Sequence, residues 1–280
     1  MNAATGRRPS TLIAAAVICA VTLAALLAPW IAPYAPDAQP FDGLSADGAP
    51  LPPSAQYWLG TDTLGRDLLS RLLFGARTSL MIGLAANGVA VAIGMIVGVV
   101  AGYAGGMAGQ ALMRFTDLMM AFPALLLAIV LAALLHPSLW IVALVIALVN
   151  WVQVARIAYT ETRALVARDF ILAVRSLGAG HARTLLLHVA PHLLPTAIVW
   201  GTLGIATTVL LEATLSFLGV GVQPPEPSWG NIIFESQSYF QSAPWLVFIP
   251  GAIILATALS FNLLGDALRD RLDPTQRGRG

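Results

Sequence analysis

The sequence predicts an all-α, polytopic membrane protein with six transmembrane helices, and three observations carry that expectation. Of 280 residues, 58% are hydrophobic and only 10% are charged, with a mean hydropathy of +0.79. Soluble domains carry about 25% charged residues, so a chain this poor in charge cannot cover a water-facing surface. Charges are also missing over long runs, with none between Thr78 and Met113 and none between Leu118 and Ala155. Six apolar stretches lie at 11–33, 78–103, 115–135, 139–158, 196–219 and 245–265. Each is close to or above the roughly 20 residues a helix needs to cross the hydrocarbon core. In lipid every backbone amide must be satisfied within its own segment, so these stretches are expected to be helices.

The first stretch follows Arg7 and Arg8, as a signal peptide would. Its apolar run is longer than a signal core, and it ends in Pro29-Trp30-Ile31-Ala32-Pro33-Tyr34, where Trp and Tyr suit a membrane interface. It reads as a retained helix. The second stretch carries Gly94, Gly98 and Gly102 at four-residue spacing, which permits close helix contact and is also common in membrane helices generally. His136-Pro137-Ser138 divides the next apolar run into a tight hairpin of the third and fourth spans. Ahead of the second span, Asp62, Arg66, Asp67, Arg71 and Arg77 have helical spacing, with Asp62–Arg66 and Asp67–Arg71 as i,i+4 pairs. This predicts an outer amphipathic helix over Gly60–Leu80, acting as a scaffold or simply as a solvated face.

The arginines set an orientation, since no lysine is present. With the N-terminus inside, twelve of the fifteen arginines face the cytoplasm and only Arg66, Arg71 and Arg77 lie outside. The positive-inside bias therefore predicts cytoplasmic termini and a multi-pass protein of the inner membrane. A net charge of +1 offers no broad field for nucleic acid. Cys19 is the single cysteine, and no Cys/His cluster has metal-site spacing, so no metal ligand is expected. His188 and His192 share a helical face, but no carboxylate supports them. Without lysine there is no Gly-x-x-x-x-Gly-Lys-Ser/Thr loop, so this chain should bind no nucleotide.

The cytoplasmic excursion at about 159–195 holds most of the candidate site. Arg168, Asp169, Phe170, Ala173, Arg175, Ser176, Leu177, Gly178 and Ala179 form a short amphipathic helix and its stop. Gly178 can take the left-handed conformation that ends a helix. Phe170, Ile171, Val174 and Leu177 are expected as an apolar ridge, edged by Arg168, Arg175 and Arg183. Such a helix can dock a protein, or lie against anionic lipid. Glu212 is the one carboxylate deep in a span and should face a pore or a partner subunit, with Phe217 and Gln223 nearby as further candidates. Arg114 and Asp117, three residues apart, read as a structural ion pair. Gln223–Gly230, with three prolines and a tryptophan, suggests a rigid re-entrant or outer plug.

Several of these segments resemble a known family. Ala173-Val174-Arg175-Ser176-Leu177-Gly178-Ala179, with Leu194-Pro195 downstream, is similar to the cytoplasmic signature of ABC importer permeases, although Leu172 and Val174 replace its usual Glu and second Ala. Gly60-Thr61-Asp62-x-x-Gly65-Arg66-Asp67-x-x-Ser70-Arg71 resembles the dipeptide/oligopeptide/nickel branch. So do Arg114-x-x-Asp117-x-x-Met120-Ala121-Phe122-Pro123 and Leu215-Ser216-Phe217-Leu218-Gly219-x-Gly221-x-Gln223-Pro224-Pro225. The run Phe261-Asn262-x-x-Gly265-Asp266-x-Leu268-Arg269-Asp270-x-Leu272-Asp273-Pro274 completes the order.

The resemblance implies the C-type transmembrane subunit of a type I ABC importer. It implies residues 1–77 as a first span, an outer loop and an amphipathic helix, followed by a core permease domain at 78–280 with five spans and a coupling helix at about 163–180. It further implies a second permease as heterodimer partner, two ATPase subunits that bind ATP and Mg, and an extracytoplasmic substrate-binding protein. No cofactor is expected on this chain, nor any nucleic acid partner. The cargo implied is di- or oligopeptides, with nickel or a chelated metal as the alternative. A membrane enzyme would need several polar catalytic groups at one depth, where only Glu212 is found. A membrane scaffold would not call for a Gly-punctuated helix pair and two shaped outer loops.

Overall fold

A computed structural model describes residues 9–135 and 138–272. Among these residues the fold is helical, and the only strand-like pairings are isolated bridges between Leu44 and Pro50 and between Thr61 and Asp67. Helix α1 (Pro9–Ile31) is followed by an irregular loop over 32–67 and then by α2 (Leu68–Ala104). The Asp67 side chain accepts from the Ser70 amide and so caps α2. The expected outer amphipathic helix is thus corrected. Residues 60–67 are loop, the helix starts at Leu68, and it continues unbroken into the second span. The boundary expected at 77/78 falls inside α2.

Gly105 separates α2 from α3 (Gly106–Met120), and α4 (Ala124–Leu134) follows. The pair α3–α4 meets at 85°, so the third expected span is broken rather than straight. The break lies at Ala121–Pro123, where Pro123 lacks an amide donor and disfavours helical backbone at Phe122. Five helices are each long and apolar enough to cross a membrane, and this bent pair would make a sixth. Helix α5 (Leu139–Val166) is capped by the Ser138 hydroxyl, which accepts from the Ile141 amide at 3.2 Å. His136 and Pro137 of the expected hairpin lie outside the described residues.

After α6 (Asp169–Ser176), the chain forms α7 (His181–Arg183), a π-helical stretch (Thr184–Val189) and α8 (Ala190–Phe217) without interruption. The wider turns sit just before Pro191, whose ring would clash with the Leu187 carbonyl in a regular α-turn. A short α9 (Trp229–Glu235), then α10 (Trp245–Leu272), complete the fold.

Helices α2 and α5 form the closest pair. A Cβ added at Gly98 would collide with the Ala155 carbonyl and lie 2.6 Å from the Ala158 Cβ, so only glycine lets the two backbones approach this far. At the end of the bundle next to the 32–67 loop, α1, α2, α8, α9 and α10 share a core around Leu72, Val209, Trp229 and Leu246. At the other end Val99, Leu165, Ile171, Val189 and Leu193 form a smaller core that holds α6 in place.

Candidate functional site

Helix α6 is eight residues long, with Asp169 in its first turn and Arg175 in its last, each placed to favour the helix dipole. Its stop is a Schellman motif: the Ala179 amide donates to the Val174 carbonyl at 3.3 Å and the Gly178 amide to that of Arg175 at 3.0 Å. Gly178 has φ +85°, the left-handed region expected for it. The apolar ridge expected along α6 is corrected in one respect. Ile171 is fully buried against Leu165, Val189 and Leu193, whereas Leu172, next to it, faces outward. Phe170 packs on the His192 ring with centroids 5.4 Å apart. Leu172 is 50% exposed and Leu177 87%, with Ala173 and Ser176 also exposed. One face of α6 is therefore pinned to the bundle, and the other offers an apolar surface about two turns long.

The arginines of this region part company. Arg175 lies over the Tyr103 ring, its guanidinium carbon 4.7 Å from the centroid. Arg168 lines a cavity of about 870 Å³ between α5, α8 and α10, together with Glu161, His192, Thr196 and Arg269. Arg183 is exposed.

At the opposite end the motif Asp62–Arg71 is built into the protein, not laid out as a solvated face. Asp62, Arg66, Asp67 and Arg71 are all buried. Arg66 pairs with Asp62 at 2.6 Å, as the spacing suggested, but across a turn. Arg71 does not pair with Asp67, whose carboxylate is occupied by Ser70. It reaches Asp62 at 3.2 Å and Glu235 of α9 at 2.9 Å, while Arg66 reaches Glu235 at 2.5 Å. Glu235 was missed in the sequence. It is the sole ionisable group in the otherwise uncharged Trp229–Glu235 helix, which is the signal that could have found it.

The loop ahead of this network is held by Tyr57, whose hydroxyl donates to Asp42 at 3.0 Å. Burial, with help from that neighbouring carboxylate, pushes the Tyr57 phenol up to about 12. Hydrogen bonds from Gln56 and then Tyr57 hold the exposed Asp42 carboxyl below its ordinary value.

Glu212 does not face a pore or a partner: it is fully buried inside this chain. Its carboxylate accepts from Ser79 of α2 and from Ser216 of α8, both at 2.8 Å. Ser79 Oγ also accepts from the Trp229 amide at 3.3 Å, and the Trp229 indole donates to the Leu72 carbonyl at 3.2 Å. Glu212 thus joins α2, α8 and, through Ser79, α9, and the two hydroxyls give each of its carboxyl oxygens a hydrogen bond that offsets part of the cost of its burial. Of its expected companions, Phe217 is 40% exposed at the end of α8. The Gln223 amide donates to the Gly219 and Gly221 carbonyls, both at 3.1 Å, and so shapes its own loop.

The expected Arg114–Asp117 pair is also corrected. Asp117 pairs with Arg156 of α5, and Arg114 is exposed. Packing α3 on α5 brings a partner across the helix interface, which intrahelical spacing cannot show. Among the described residues no three His, Cys, Asp or Glu side chains gather as a metal site.

Two family models match the chain. Residues 94–278 match the one described as "Binding-protein-dependent transport system inner membrane component". Residues 7–53 match the "N-terminal TM domain of oligopeptide transport permease C". The Di/tripeptide transport system permease protein DppC of Pseudomonas aeruginosa (strain UCBPP-PA14) is 42% identical over 260 residues, which cover 91% of this chain and 84% of that protein. The Dipeptide transport system permease protein DppC of Escherichia coli (strain K12) is 42% identical over 274 residues, 96% of this chain and 90% of its own length. The Glutathione transport system permease protein GsiD of Escherichia coli O157:H7 is 39% identical over 272 residues, 97% and 88% of the two chains.

Proposed function

This chain belongs to the family of binding-protein-dependent transport system inner membrane components, and from that premise we propose that it is the channel-forming subunit of an ATP-driven importer of di- and oligopeptides. The family carries the type I ABC permease fold, so the protein is a multi-span inner-membrane permease. The names of its relatives, di/tripeptide, dipeptide and glutathione permeases, favour short peptides as cargo.

One observation carries the mechanism: α6 turns an apolar face outward while Ile171 anchors its other face in the bundle. A helix held in this way is suited to receive a partner and pass on its movement. On this reading Phe170, Leu172, Ala173, Ser176 and Leu177 seat in an ATPase subunit, which binds ATP and Mg. Two such subunits lie beneath a heterodimer of this chain and a second permease. A substrate-binding protein delivers the peptide from outside. Closure of the ATPases moves α6, and the two permeases alternate between outward and inward access. Both termini then face the cytoplasm, in keeping with the distribution of arginine. On this reading ATP is hydrolysed by the partner subunits, in keeping with the lack of any lysine for a phosphate-binding loop in this chain.

The test is reconstitution of the four membrane-associated chains in liposomes, with the binding protein and a labelled dipeptide outside and ATP beneath the ATPases. Uptake that requires ATP and the binding protein is expected. No copurifying ATPase, or uptake indifferent to ATP, would refute the reading.

A further inference from the structure

We propose that α2 is the strut that carries movement of α6 to the outer re-entrant segment, with Tyr103 as the positioning residue that fastens α6 to it. The inference rests on the permease reading above and specifies how its two ends are joined.

At the inner end one aromatic ring adds a polar fastening to the apolar core that Ile171 of α6 shares with Val99 of α2. Tyr103 lies in the last turn of α2 and is half-buried. Its hydroxyl is 3.1 Å from His181 Nδ1, at the start of the helix that follows α6. The Arg175 guanidinium, in the last turn of α6, lies over its face at 4.7 Å. Arg175 Nε is buried and has no hydrogen-bond partner, so the ring face is the polar surface available to it. Tyr103 is therefore gripped from both sides of the Gly178 turn.

The shaft between the ends is stiff. Helix α2 runs 37 residues without proline, about 55 Å at the ordinary rise per residue. Helices α1, α8 and α10 each contain a proline, at Pro29, Pro195 and Pro250, and α3–α4 is bent. Helix α5 is also unbroken, but Gly98 locks it against α2, so the two move as one body.

The outer end grips α9. The Leu72 carbonyl accepts from the Trp229 indole, Ser79 accepts from the Trp229 amide, and Arg71 pairs with Glu235. Among the described residues the outer end of α5 makes apolar contacts, through Val142 and Ile146, and its side-chain hydrogen bond to α8, from Asn150 to Thr208, lies further along the helix and does not reach α9. A displacement of α6 therefore reaches α9 along α2, where the polar anchors are. Without Tyr103, the Gly178 end of α6 keeps no polar tie to α2 and can swing about the Ile171 anchor without moving α2.

The experiment uses the whole transporter in nanodiscs. The background is Cys19→Ser with Ser238→Cys, an exposed position just beyond α9. Labelling of Cys on this chain by an impermeant maleimide is timed without nucleotide and with ATP and vanadate. In the background protein nucleotide should change the rate by about fivefold or more, the low end of coupling between linked sites. Tyr103→Ala should abolish that dependence and lower transport on the order of tenfold while ATP hydrolysis continues. Tyr103→Phe, which keeps the ring, should retain most of both. If Tyr103→Ala does not assemble, Tyr103→Leu keeps bulk without the ring face and carries the same expectation. A Tyr103 variant that assembles and keeps nucleotide-dependent labelling overturns the strut and leaves the permease reading standing. Absence of an ATPase from the purified background complex overturns both.

Discussion

Replacing Glu235 with alanine tests whether the outer ion-pair network is an interior device. Arg66 and Arg71 have side chains only 4% and 1% exposed, and both hydrogen-bond Glu235 Oε2. Removal of Glu235 leaves the two guanidiniums sharing Asp62, whose Oδ2 lies 2.6 Å from one and 3.2 Å from the other. At an effective dielectric constant of about 20, a charge pair 3 Å apart attracts by about 5–6 kcal/mol before desolvation is subtracted. Breaking a buried pair from one side costs about 3–5 kcal/mol, because the remaining charge stays buried. Glu235 itself is 15% exposed, so the lower figure applies, about 3 kcal/mol. Unfolding of the purified chain in mixed micelles, followed by loss of helical circular dichroism with added dodecyl sulfate, reads this value. Glu235→Gln keeps an acceptor without the charge and should cost about half as much. A loss under about 1 kcal/mol for Glu235→Ala, the value of an exposed pair, would refute the reasoning.

Four further outcomes are expected. Ile171→Ala removes the buried anchor of α6 and should destabilise by about 2–4 kcal/mol, whereas Leu177→Ala, fully on the surface, should leave the melting temperature alone and reduce ATPase retention in pull-down. Gly178→Ala meets no atom within 4 Å, so only its left-handed backbone is strained, and calorimetry should show a loss of about 1–2 kcal/mol. Gly98→Val should abolish accumulation of folded protein on immunoblots of membranes, while Gly88→Ala, in open space, should be neutral or gain up to about 1 kcal/mol. The raised Tyr57 phenol makes the native state hold its proton more tightly than the unfolded chain does. Stability from this group is thus complete below the unfolded value near 10 and is lost as pH rises toward about 12. Ultraviolet titration of tyrosinate should lose a component with a midpoint near pH 12 in Tyr57→Phe.

Much of the molecule was legible along the chain. Lipid as solvent, the approximate spans and the stop at Gly178 follow from local physics. Apolar length is counted residue by residue, and a left-handed turn asks for glycine whatever surrounds it. The two-faced reading of α6 was half legible for the same reason: amphipathic spacing shows that a short helix has sides, but which of Ile171 and Leu172 is the anchor depends on where α5 and α8 stand. The 85° turn at Ala121–Pro123 was within reach, because Pro123 was in view and its effect on Phe122 is local.

The charged residues mark where such reading ends. Spacing proposed Asp67–Arg71 and Arg114–Asp117, and the protein instead uses Asp67 as a cap, Arg71 with Glu235 some 164 residues away, and Asp117 with Arg156. Glu212 was recognised as costly at its depth, yet its partners Ser79 and Ser216 come from packing α2 against α8. Burial and secondary structure are set by properties each residue carries with it. Ion-pair and hydrogen-bond partners depend on distances of about 3 Å between helices remote in sequence, and those distances exist only once the bundle has closed.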